Sequence, residues 1–108
     1  MATLAITPAS GSITAKRSVC RIDVTGANQN DDTAYNPALY PASPEFRYYL
    51  LFDAPSGTDD KKSYKFAVAD DGTHTFNNFI FDVAGSWTVR FRNAANDSDV
   101  TTLAVTVN

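Results

Sequence analysis

The chain is expected to fold as an all-β antiparallel sandwich of about seven strands, a single domain spanning residues 1–108. Its composition points there first. Twelve Thr, eight Val and four Ile make 24 β-branched residues, joined by five Tyr, seven Phe and one Trp, the types that suit a pleated, half-buried surface. The straight-chain residues on which a helix draws are scarce: one Glu, one Gln, one Met and five Leu. The third sign is a period-two alternation of apolar and polar residues in short runs bounded by turn residues. With 108 residues, 44% of them hydrophobic, the chain is long enough for one core, and no internal repeat marks a second.

Each element has its own signature. Thr3–Thr7 alternates Leu4 and Ile6 against small or polar neighbours, and Pro8-Ala9-Ser10-Gly11 breaks it before a short Ser12–Ala15 segment. Ser18–Val24 sets Cys20, Ile22 and Val24 on one face and Val19, Arg21 and Asp23 on the other. Gly26–Pro44 is a long irregular stretch rich in Gly, Asn, Asp and Pro, and loops of that length are often functional. In Glu45–Asp53, Phe46, Tyr48, Leu50 and Phe52 oppose Arg47, Tyr49, Leu51 and Asp53, so both faces read as covered and the strand as central. Ala54–Asp60 is a turn-rich connection. Lys62–Val68 follows with Tyr64, Phe66 and Val68 inward, and Asp70-Asp71-Gly72 carries hairpin turn chemistry. Thr73–Phe81 is interrupted at Asn77-Asn78, the mark of a bulge. Ser86–Arg92 points Trp87, Val89 and Phe91 in and Thr88, Arg90 and Arg92 out. After the polar turn Asn93–Ser98, Val100–Val107 closes the pattern with Leu103, Val105 and Val107 on one face.

The run Asp82-Val83-Ala84-Gly85-Ser86-Trp87-Thr88-Val89, followed by a hairpin ending Leu103-Ala104-Val105-Thr106-Val107, resembles the last two strands of an immunoglobulin-like domain. Gly85 and Trp87 occupy its Gly and aromatic places, and Ser18-Val19-Cys20-Arg21-Ile22 resembles its second strand. That likeness implies a disulfide-free domain of the bacterial and phage type, because Val89 lies where a partner for Cys20 would stand. The aromatic is Trp rather than Tyr, so no tyrosine hydroxyl bond is expected at the corner. Gly26–Pro44 takes the place of the loop between the second and third strands. In size and character the chain is also similar to small virion proteins of tailed bacteriophages.

Few chemistries fit these residues. Nine basic against twelve acidic side chains, a net charge of −3, argue against a nucleic-acid partner. The longest apolar run, Tyr48 to Phe52, is too short to span a membrane. Met1-Ala2-Thr3-Leu4 lacks a charged, apolar leader pattern, so synthesis in a host cytoplasm is expected, and the resemblance to phage virion proteins implies residence in a virion. A single Cys and a single His leave little for a zinc site or for acid–base catalysis. Cys20 reads as a small core residue and His74 as an exposed strand-end residue. Asp31-Asp32, Asp59-Asp60, Asp70-Asp71 and the Asp97/Asp99 pair read as turn formers rather than as calcium ligands. No cofactor, no metal and no enzymatic activity are expected.

What stands out is Tyr35-Asn36-Pro37-Ala38-Leu39-Tyr40-Pro41. Tyr gives contact area at low entropic cost, and Pro reduces the freedom lost on binding. Tyr35, Asn36, Pro37, Leu39 and Tyr40 are therefore the candidate partner contacts, with the outward Arg90 and Arg92, whose alternative is pairing with acids on neighbouring strands. The N-terminal segment 1–15 is a further contact candidate. The expected role is a non-enzymatic structural protein of a bacteriophage particle, a capsid decoration or cement protein. Its partners would be capsid or tail subunits, with self-association as an additional option. The alternative is a carbohydrate- or cell-surface-binding module of a phage tail or bacterial adhesin, with Tyr35, Tyr40 or Tyr49 stacking on sugar rings.

Overall fold

The computed structural model describes residues 2–27, 46–66, 70–94 and 97–108, with Phe46 described by its backbone alone. The described residues form seven strands: β1 (Thr3–Thr7), β2 (Cys20–Thr25), β3 (Phe46–Asp53), β4 (Asp60–Phe66), β5 (His74–Phe79), β6 (Gly85–Asn93) and β7 (Asp99–Val107). They form two antiparallel sheets, ordered β1-β2-β5 and β4-β3-β6-β7, packed as a sandwich with the apolar rows of both facing inward. In an immunoglobulin constant domain the fourth strand sits beside the fifth; here it sits beside β3.

The inward rows follow from the alternation. Cys20, Ile22 and Val24 from β2, with Phe76 and Phe79 from β5, meet Tyr48, Leu50 and Phe52 from β3 and Trp87, Val89 and Phe91 from β6, all buried. Rings gather at the two ends of this core. Tyr48 stacks on Phe91 at 4.7 Å and meets Phe66 edge-on at 5.9 Å. At the other end Phe52 contacts Phe79 at 5.0 Å and Phe81 contacts Trp87 at 4.9 Å. Edge-to-face and offset pairs of this kind add to what their buried area contributes. As expected for a central strand, β3 is paired on both sides, and Tyr49 on its outer face is only 5% exposed. The interruption at Asn77-Asn78 is a bulge: between Cys20 and Ile22 the β2–β5 register slips, and Asn78 has φ of 58°.

One lateral seam of the sandwich is closed by the chain itself. After the cis Thr7–Pro8 bond the backbone leaves β1's sheet and runs beside β7. Gly11 donates its N–H to the Thr106 carbonyl, Asn108 to Ile13 and Ala15 to Asn108, at 2.8–2.9 Å. Ile13, fully buried, forms a parallel bridge with Val107. The other seam lies between β4 and β5, each paired on one side only among the described residues.

The hairpin expectation needs correction. Asp70-Asp71-Gly72 does not make a hairpin: β4 pairs with β3 and β5 with β2, so this turn crosses between sheets. Its backbone is as the sequence implies, with φ of 51° at Asp71 and 73° at Gly72. Local turn chemistry sets those angles without deciding which sheet receives the next strand. Gly72 is needed for a second reason: a Cβ there would collide with the carbonyl oxygen of Ala27. At the corner before β6, the bond expected to be missing with a tyrosine is supplied otherwise. The buried Trp87 indole donates Nε1–H to the Val83 carbonyl at 3.0 Å, reaching back along the chain as the tyrosine of such corners does. Trp87→Phe keeps a ring but leaves that carbonyl without its donor, and is expected to lower stability by about 1–2 kcal/mol, read as a lower urea midpoint. An unchanged midpoint would strip the bond of energetic weight.

Candidate functional site

The sequence-selected contacts divide into two groups. Tyr35, Asn36, Pro37, Leu39 and Tyr40 lie outside the described residues. Arg90 and Arg92 sit on the outer face of the four-stranded sheet, where period two on β6 places them opposite the core row. Both are engaged within the chain. Arg90 Nη1 donates to Asp99 at 2.7 Å, and its Nε to Asp53 at 3.3 Å. Arg92 Nε donates to the other Asp99 oxygen at 2.7 Å. The Tyr49 hydroxyl donates to Asp97 at 2.7 Å, and the Lys61 ammonium lies 4.8 Å from the Tyr49 ring centre. Tyr49 is thus covered, and the expectation that it offers an exposed face to a sugar is corrected.

This network joins three strands, β3 through Asp53 and Tyr49, β6 through its arginines and β7 through Asp99. Burial opposes ionisation of Asp99, but the hydrogen bonds from Arg92 and Arg90 outweigh it and hold its carboxyl below the ordinary 3.8. A depressed folded-state value means that its contribution is present above that ordinary value and fades as pH falls through the folded one. The pairs are partly solvated, with Asp99 34% exposed, so screening keeps their net effect small. Asp99→Asn is expected to lower the melting temperature by only a few degrees in low salt, with the difference from wild type shrinking in high salt. A difference indifferent to salt would mean that the pairs are not its cause.

The other reactive groups are also committed. Cys20 is buried, its thiol pushed above the ordinary value by burial, and it donates weakly to the Ser18 carbonyl. Asp59 accepts from the Ala54 N–H and Asp70 from the Tyr64 hydroxyl. His74 stands at the start of β5, as expected, but its expected exposure is corrected: it is half-buried, its ring stacking on Tyr64 at 3.5 Å and meeting Phe76 edge-on at 4.7 Å. The stack spans the β4/β5 seam, joining one sheet to the other. Burial lowers the His74 pKa below 6.5, against the opposing field of Asp70. The unfolded chain therefore binds this proton more readily, and stability falls as pH drops from above 6.5 through the folded-state value. Wild type is expected to lose stability between about pH 7.5 and 5.5 and His74→Phe to lose less, measured as denaturation midpoints. Equal losses would exclude His74 as the source.

A cleft that sequence reasoning did not anticipate opens along the same seam, at the end remote from His74. It measures about 390 Å³ and is lined by Phe52, Phe79, Phe81 and Trp87, with Asp59, Asp60, Asp82, Lys62 and Ile80 among its other walls. Its origin is geometric. Period two on β4 puts Asp60 and Lys62 on the same face as Tyr64 and Phe66, but among the described residues the three-stranded sheet does not extend over them. The sequence signal was there, in two charged residues on the inward parity of a strand. No protein-family model, curated protein or solved structure matches this chain.

Proposed function

We propose that this protein is a non-enzymatic structural module that binds other proteins, and specifically a capsid decoration or cement protein resident in a bacteriophage particle. The observation that carries the binding role is where the reactive and the apolar groups lie. The thiol, the imidazole and the arginine–aspartate face are occupied by contacts within the chain. Val19 and Ile80, by contrast, stand 61% and 52% exposed beside an open, aromatic-lined seam. Such an arrangement suits association better than bond-making. The phage particle enters through the resemblance of the alternating strands and the unpaired Cys20 to disulfide-free immunoglobulin-like virion proteins. A lattice of identical sites would give such a module many equivalent contacts, so that modest single-site affinity suffices. Glycan binding has less to support it, since among the described Phe, Tyr and Trp rings only the half-buried Tyr64 escapes burial, and His74 is stacked on it.

Mass spectrometry of purified particles encoded by the genome that carries this sequence should find the polypeptide as a virion component; particles without it would overturn the phage assignment. Within that setting, Tyr40→Ala is expected to weaken association with particles by at least about tenfold, with an unchanged melting curve for the free protein. Unaltered co-sedimentation would remove the 26–44 segment from the contact surface.

A further inference from the structure

The seam cleft has the chemistry of a docking site for a basic, apolar segment. Its floor is formed by Phe52, Phe79, Phe81 and Trp87, all less than a tenth exposed. Its rim holds three carboxylates, Asp59, Asp60 and Asp82, against one ammonium, Lys62. That ammonium lies 6.0 Å from the Phe79 ring centre, within the range in which a cation is drawn to an aromatic face. The chain's own Lys62 thus places an ammonium at the edge of the aromatic floor. Ile80 lines the cleft and is exposed. Ile80 and Val19 each stand one residue beyond the Cys20–Phe79 pair that ends the β2–β5 ladder, so the two exposed apolar residues lie at the same end of that sheet.

We propose that this surface is the seat of a partner protein's segment in which a lysine or arginine is flanked by aliphatic side chains. The cation enters among the rim carboxylates over the aromatic floor, and the aliphatic neighbours cover Ile80 and Val19. Charge complementarity selects this occupant: an acidic segment would meet the carboxylates, and a wholly apolar one would leave them desolvated and unpaired. Strand addition along the length of either edge is disfavoured by features of the strands themselves. β4 carries Lys61, Lys62 and Lys65, and β5 is bulged at Asn77-Asn78, two devices that guard sheet edges. The inference rests on the reading of the chain as a protein-binding module and holds whether or not the partner is a capsid subunit.

Trp87 is the only tryptophan of the chain and lines the cleft, so its emission reports occupancy. The full chain is titrated with a synthetic peptide alternating valine and lysine, and with its counterpart bearing glutamate in place of lysine. The basic peptide should give a saturable change in emission that weakens with added salt, and the acidic one none. Asp60→Asn combined with Asp82→Asn, and separately Ile80→Ser, should each weaken binding by about tenfold with unaltered far-ultraviolet circular dichroism. All these positions are exposed, and the asparagine pair, which removes no apolar contact, serves if the serine variant fails to fold. Equal response to the acidic peptide, or binding indifferent to the asparagine pair, would overturn the proposal. So would saturation by n-butylammonium at the peptide's own concentrations, which would assign the cleft to small amines. Concentration-dependent dimerisation abolished by Ile80→Ser, without peptide binding, would assign it to a second copy and likewise overturn the proposal. Because the readout needs no particle, failure here is separable from absence of the polypeptide in virions.

Discussion

The sandwich depends on burial of one row of side chains on β6. Trp87, Val89 and Phe91 sit on the strand that pairs with both β3 and β7, so the row supports the four-stranded sheet and faces the other across the core. Burying a large apolar side chain is worth about 1.5–3 kcal/mol, and an exposed ion pair about 0–1 kcal/mol. The inner face of β6 therefore supplies the stability. The outer face, where Arg90 and Arg92 reach acids on both neighbouring strands, reinforces the register. No disulfide assists: Cys20, opposite in the sandwich and buried, acts as a small apolar group.

From the unequal strand numbers follows the difference between the seams. Where β1 and β7 meet, the polypeptide passes from sheet to sheet and its backbone hydrogen bonds close the gap. At β4 and β5 no described segment makes that crossing in register, and closure is left to side chains. The Tyr64–His74 stack joins the sheets at one end. At the other, β4 overhangs, and its inward parity is filled by Asp60 and Lys62 instead of rings. The cleft exists because the period of the strand continues beyond the reach of the opposing sheet.

That distinction explains what could be read from the residues alone. Strand positions were legible because each buried row repeats with the pleat: Cys20-Ile22-Val24 and Trp87-Val89-Phe91 need no partner to be recognised. The bulge was legible because Asn77-Asn78 breaks that beat. Sheet membership of β4 was not, since Asp71-Gly72 specifies backbone angles common to hairpins and to crossings. The surroundings of His74 depend on Tyr64 from the other sheet, a pairing without a local trace. The outward Arg90 and Arg92 were visible as a pattern, but whether they serve a partner or Asp53 and Asp99 is decided by register between strands. The cleft was the least legible feature, because it depends on how far β4 reaches past the described strands of the opposing sheet.

The closed seam also bears on how the molecule responds to mechanical load. The 11–15 segment runs parallel to the end of β7, so tension applied through the N-terminal side of that segment and the C-terminal end of β7 slides one past the other. The bonds from Gly11, Asn108 and Ala15 are then strained together instead of parting one at a time as in a zipper. Resistance to pulling is governed by the rate of reaching that shared rupture and not by equilibrium stability. A sandwich without covalent cross-links can in this way hold tension along its length through the hydrogen bonds of one seam.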